Sequence, residues 1–110
     1  MSFSIKFTPG KKIPKEIVNT ATADIAKARQ IILVTYTATG AVTSLTIPTL
    51  LCKAGNWFII KDAGGLAGTN NITIDTEGSQ KIDGQDTLVI NTNYDYVTLY
   101  CDGSNLFIIA

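Results

Sequence analysis

The side chains of this chain that could do chemistry are seven carboxylates in its second half, Asp62, Asp75, Glu77, Asp83, Asp86, Asp95 and Asp102, and two thiols, Cys52 and Cys101. No histidine accompanies them. That excludes, within one chain, a Ser-His-Asp triad, a Cys-His dyad and imidazole acid–base catalysis. Zinc loses its usual nitrogen ligands as well, and two cysteines cannot supply four thiolates. Two carboxyls held roughly 5–9.5 Å apart could hydrolyse a glycoside. The settings of these carboxylates point elsewhere: Asp62, Asp83 and Asp102 stand beside or just before glycines at expected bends, where an Asp side chain satisfies turn backbone. The pair Asp83 and Asp86, in Asp-Gly-Gln-Asp, lacks the alternating oxygen ligands and closing Glu of a calcium loop. Gly64-Gly65-Leu66-Ala67-Gly68-Thr69 has the glycines of a phosphate loop, but a strand follows instead of a helix N-terminus, and no Gly-Lys-Ser/Thr closes it. It is expected to be a hairpin-like connection. No catalytic residue, no metal site and no cofactor is therefore expected, and the chain is not expected to be an enzyme.

Among the aromatics, Trp57, Tyr94, Tyr96 and Tyr100 could stack on sugars or bases. Only Tyr94 stands clearly at a strand end, where an exposed ring is available. With Asn91 and Asn93 it forms a candidate ligand or receptor loop. The other three are expected in the core or at a subunit interface.

The elements that must position these residues are mostly strands. Phe3, Ile5 and Phe7 alternate with polar residues, the two-residue period of a half-buried strand, and Pro9-Gly10 ends it. From Ile13 to Arg29 a proline that could open a helix and apolar residues spaced by four, Ile17, Ala21 and Ile25, predict a short helix, against the turn and strand preference of Asn19, Thr20 and Thr22. Ile31–Thr37 and Val42–Ile47, separated by Thr39-Gly40, read as a hairpin. Trp57–Lys61 is so apolar that both of its faces are expected to be buried. Further strands are expected at 72–76, 87–90, 94–101 and 106–109, with Asp102-Gly103 turning the last hairpin.

Strands recurring every ten to fifteen residues, with Gly, Asn and Asp at the bends, predict an all-β fold: a small sandwich or prism of short antiparallel strands. The 110 residues suffice for one core, arranged as an N-terminal attachment or assembly arm over 1–29 and a β-rich domain over 30–110. Apolar residues make up 45% and charged ones 16%, so much apolar surface must be covered by Thr, Ser and Asn or by copies of the chain. Nine basic and nine acidic side chains cancel, which disfavours nucleic acid and anionic membrane as partners. No apolar run approaches the ~20 residues of a membrane helix, and the N-terminus lacks the pattern of a signal peptide, so synthesis in a cytoplasm is expected. Cys52 and Cys101 sit in apolar settings and are expected to be free buried thiols. The terminal strand, Phe107-Ile108-Ile109-Ala110, is expected to be tied into a sheet or an assembly interface.

The order of residues from Gly55 to Asp62, through Gly68-Thr69-Asn70-Asn71-Ile72-Thr73-Ile74 and Gly78-Ser79-Gln80-Lys81-Ile82-Asp83-Gly84, and the closing stretch from Ile90 to Ile109 with its Asp-Gly-Ser-Asn turn, resemble the β domains of phage tail-fibre, head-fibre and spike proteins. Thr35 to Pro48 fits the hairpin that precedes them. The resemblance covers residues 30–110, and departs where Leu106 replaces an aromatic and Cys101 a small polar residue. It implies a homotrimeric structural module of a virion projection, decoration or joint, meeting other virion proteins and contacting a host surface, in a particle assembled in a host cytoplasm. On that view Phe3, Ile5 and Phe7 would be an assembly arm adding a strand to a neighbour. A carbohydrate-binding module without catalysis, using Asn91, Asn93 and Tyr94 on a host-surface glycan, is the alternative.

Overall fold

A computed structural model describes residues 12–38 and 43–110. Their β-branched and aromatic segments form nine strands: β1 Lys15–Val18, β2 Thr22–Asp24, β3 Gln30–Val34, β4 Thr43–Ile47, β5 Trp57–Asp62, β6 Ile72–Thr76, β7 Thr87–Ile90, β8 Tyr96–Cys101 and β9 Leu106–Ile108. Within the described residues the only helical piece is a single 3-10 turn, Thr49–Leu51. The strands make two sheets, ordered β1-β3-β5-β8-β9 and β2-β4-β6-β7.

The winding follows from that order. From β1 to β6 each strand lies in the opposite sheet from the one before it, and each of β1 to β4 pairs in parallel with the strand two places on. The chain thus makes three flattened coils, β1–β2, β3–β4 and β5–β6, stacked so that Ile17 meets Leu33 and Leu33 meets Lys61 across the first sheet. The chain then reverses. β7 returns antiparallel to β6, β8 antiparallel to β5, and β9 folds back on β8.

Alternation places every second side chain between the sheets. Ile32, Val34, Phe58, Ile60, Val97 and Leu99 enter from the first sheet, Leu45, Ile47, Ile72, Ile74 and Ile90 from the second, and all belong to one buried cluster. Val18 and Ile25 join the same cluster, so the described part of the first 29 residues is built into both sheets. Glu16 joins the first two coils: its carboxylate accepts hydrogen bonds from the Ala26 N–H at 3.0 Å and from the side-chain amide of buried Gln30 at 2.5 Å.

The β-rich class and the two facing sheets agree with expectation, and four finer expectations are corrected. The strands are not all antiparallel, since the coils stack in parallel. Residues 13–29 hold strands β1 and β2 in place of a helix, because these segments add to the edges of β3 and β4 and bury Val18 and Ile25 between the sheets. The segments 31–37 and 42–47 are not a hairpin: β3 and β4 lie in different sheets, as do β5 and β6 on either side of the glycine-rich connection. Finally, β5 buries only Phe58, Ile60 and Asp62, leaving Trp57, Ile59 and Lys61 half-buried on the outer face. The expected turn at Thr39-Gly40 and the strand of Phe3, Ile5 and Phe7 lie outside the described residues.

Candidate functional site

β5 ends on a carboxylate. Asp62 has the same parity as Phe58 and Ile60, so its side chain turns inward and is only 3% exposed. A buried acid needs donors. Asp62 Oδ1 accepts from the Gly65 N–H at 3.1 Å, and Oδ2 accepts from the N–H groups of Ala67 and Tyr94, each at 2.9 Å. The Asp62 N–H in turn donates to the Asp95 carbonyl at 2.9 Å. One side chain therefore joins two loops far apart in sequence, the connection after β5 and the turn before β8.

The second loop presents Tyr94. Asp95 N–H donates to the Thr92 carbonyl at 3.1 Å, closing a four-residue turn in which Tyr94 has φ +64°. That backbone region is costly for a bulky residue and suits Gly or Asn. The strain is held in place by Asp62, by the Lys61 ammonium donating to the Tyr94 carbonyl, and by packing on Gly65. Gly65 is itself at φ +77°, strained for any other residue, and a Cβ there would stand 2.3 Å from the Tyr94 ring and push it aside. The ring is 61% exposed, with the Lys61 ammonium 5.9 Å from its centroid. Asn91, Asn93 and Tyr94 all stand exposed on this loop. Part of this group is structural, however, because Asn93 Oδ1 accepts from the Gly68 N–H at 2.8 Å.

A second feature is the contrast between the two outer faces. The second sheet shows solvent Thr22, Asp24, Ser44, Thr46, Thr73, Asp75 and Thr87, the polar half of an ordinary alternation, with Val89 the apolar exception. The first sheet turns outward Ile17, Ile31, Leu33, Trp57, Ile59, Tyr96 and Tyr100, with Lys15, Lys61 and Thr98 between them. Trp57, Tyr100 and Phe107 are register partners across β5, β8 and β9, forming an aromatic row. Tyr96 is 50% exposed, Tyr100 and Phe107 40% each, and Ile17 58%. Thus Tyr96 and Tyr100, expected in a core or at an interface, stand on the outer surface of the chain.

The other turn carboxylates are occupied as well. Asp102 Oδ1 accepts from the Ser104 and Asn105 N–H groups at 2.8 Å each, as its turn setting predicts, and these bonds, Asn105 foremost, hold its carboxyl below the usual range. Asp83, at φ +48°, reaches further than its own bend and accepts from the Ile108 N–H at 3.1 Å, tying the 81–85 loop to β9. Asp86 pairs with Lys81. Among the described residues no group of three or more Cys, Asp or Glu side chains is arranged to hold a metal ion. Sequence reasoning assigned Asp62 to its own turn and missed its hold on the second loop. The available signal was its parity, since an Asp two residues after Ile60 on a buried strand must face inward.

No protein-family model matches the chain, and no curated protein matches it. No helix among the described residues is long and apolar enough to cross a membrane.

Proposed function

We propose that this chain is a non-catalytic structural module of a virion projection or joint, which assembles as a homotrimer through the outer face of its first sheet. The observation that carries the reading is the asymmetry of the two outer faces, one polar except for Val89 and the other rich in Ile, Leu, Trp, Tyr and Phe side chains, with Lys15, Lys61 and Thr98 among them. Five strands about 4.8 Å apart and three to six residues long give that sheet face an area of roughly 300–400 Å2. This lies in the range of the largest apolar patches of monomeric proteins, which are commonly interaction sites. Zero net charge sets no long-range repulsion between copies. The resemblance of residues 30–110 to fibre and spike domains supplies the virion setting, with other virion proteins as partners. Light scattering behind a sizing column tests it: a mass of three chains is expected, and a mass of one chain at micromolar concentration contradicts it.

One observation favours a second reading, a carbohydrate-binding module. The Tyr94 ring is exposed on a turn held rigid from below, a pre-organised stacking surface for a sugar. A glycan array separates the readings. Binding that disappears in Tyr94→Gly, which the positive φ accommodates, supports the lectin-like reading, and an array without a binder at high protein concentration argues against it.

A further inference from the structure

The two cysteines, 49 positions apart in sequence, meet in the fold. After the 3-10 turn Thr49–Leu51 the chain bends through Lys53–Asn56, with the Asn56 N–H donating to the Lys53 carbonyl at 3.0 Å and Gly55 at φ +87°. This turn is laid against the end of β8: the Gly55 N–H donates to the Cys101 carbonyl at 2.9 Å, and the Cys101 N–H donates to the Asn56 carbonyl at 2.8 Å. Ala54 packs against Gly103 in the hairpin beyond. The Asn56 side-chain amide also donates to the Leu51 carbonyl at 2.9 Å, so the backbone fixes the segment carrying Cys52 beside Cys101, and both side chains lie in one buried cluster. Both are buried, at 4% and 0% exposure, and both are reduced.

We propose that Cys52 and Cys101 are an oxidation site, closing to an intramolecular disulfide that staples the turn between the second and third coils to the terminal β8–β9 hairpin. The oxidant is a low-molecular-weight disulfide. The Cys52 thiol loses its proton and attacks one sulfur of that molecule, whose other half leaves as a thiolate and takes up a proton. The Cys101 thiol then loses its proton and attacks the Cys52 sulfur of the mixed disulfide, expelling the second half as a thiol. Two electrons and two protons pass from the protein to the oxidant. Exchange begins at Cys52 because it is the cysteine with some surface open to solvent. Bridging closes a loop of about 50 residues, a length at which the denatured chain loses much of its freedom. The chain would therefore be a dithiol in a reducing compartment and a stapled form outside it.

The exchange is slow at neutral pH. Burial, the neighbouring Cys101 thiol and Glu77 push Cys52 up to about 11, with Lys53 pulling the other way, and the thiolate is the attacking species. The test is incubation of the folded, full-length protein with oxidised glutathione at pH 7.5 and 9.0, followed by alkylation in denaturant, intact mass and peptide mapping. The expected product is a single chain lighter by the mass of two hydrogens, with its Cys52 and Cys101 peptides joined, formed at least tenfold faster at the higher pH. Its melting temperature should stand roughly 10 °C above that of the dithiol. Cys101→Ser should instead stop at a glutathione adduct on Cys52. Adducts on both thiols without a bridge, bridges only between chains, or thiols that remain reduced at both pH values would each overturn the proposal.

Discussion

At the scale of single residues, the fold depends on side chains that hold loops. Asp62 is the clearest case, since three backbone donors from two loops converge on one buried carboxylate and no other acceptor replaces it. Asp62→Ala should lower unfolding stability by roughly 3 kcal/mol in urea titration, because each buried donor left without an acceptor costs about 1–3 kcal/mol and the loops can turn some of them to water. A loss below about 1 kcal/mol would mean that the two loops hold themselves. Asp102 makes a prediction of a different kind. Its folded carboxyl is held below the ordinary value of 3.8 by the Asn105 and Ser104 N–H groups, so its stabilising effect is present above that value and is lost as pH falls below it through the folded value. Thermal melts of the parent and Asp102→Asn between pH 5 and 2 should show the parent losing more of its melting temperature below pH 3.8 than the variant does. Equal slopes would contradict the turn assignment. Asp102 was legible in the sequence because its bonds lie within three residues of it. Asp62 and Asp83 were not, because their partners lie elsewhere in the chain, at Tyr94 and Ile108.

At the scale of the elements, sequence patterning located strands better than it located their neighbours. β3 to β9 fall where β-branched and aromatic runs placed them, and Asp102-Gly103 does turn the hairpin of β8 and β9. Parallel and antiparallel strands share the same two-residue period, however, so periodicity cannot tell a hairpin from two strands that pass to opposite sheets. That ambiguity misled the reading of β3 with β4 and of β5 with β6. β1 and β2 were obscured for a related reason: strands of four and three residues are too short to establish a period, and Ile17, Ala21 and Ile25 mimic a helical spacing. The difference between the sheets was written more openly. Gln-Ile-Ile-Leu-Val and Trp-Phe-Ile-Ile-Lys-Asp carry apolar residues on both faces, whereas Thr-Ser-Leu-Thr-Ile and Ile-Thr-Ile-Asp-Thr carry them on one. An outward apolar face is a function of the element and can be removed without touching the core. Tyr96→Lys with Tyr100→Lys should therefore keep the far-ultraviolet circular dichroism of the parent while weakening self-association by at least tenfold in analytical ultracentrifugation. Unfolding of the pair variant would show instead that these rings support the sheet itself.

At the scale of the whole molecule, three stacked coils closed by antiparallel strands make a small core between two unlike surfaces. The polar face of the second sheet suits water, and the aromatic face of the first suits contact with another apolar surface. A chain with 16% charged residues has few means of keeping the second kind of surface soluble on its own. Burying it against sister copies in a closed ring answers that need without leaving a face open for further growth. The loop carrying Tyr94 stands just before β8, so a module assembled through the sheet face could still present that ring outward. The most direct measurement is the solution mass of the purified protein across a hundredfold dilution, compared with the Tyr96→Lys, Tyr100→Lys variant. The account predicts three chains for the parent at every concentration above the nanomolar range and one folded chain for the variant. A parent that runs as a folded monomer throughout would contradict it.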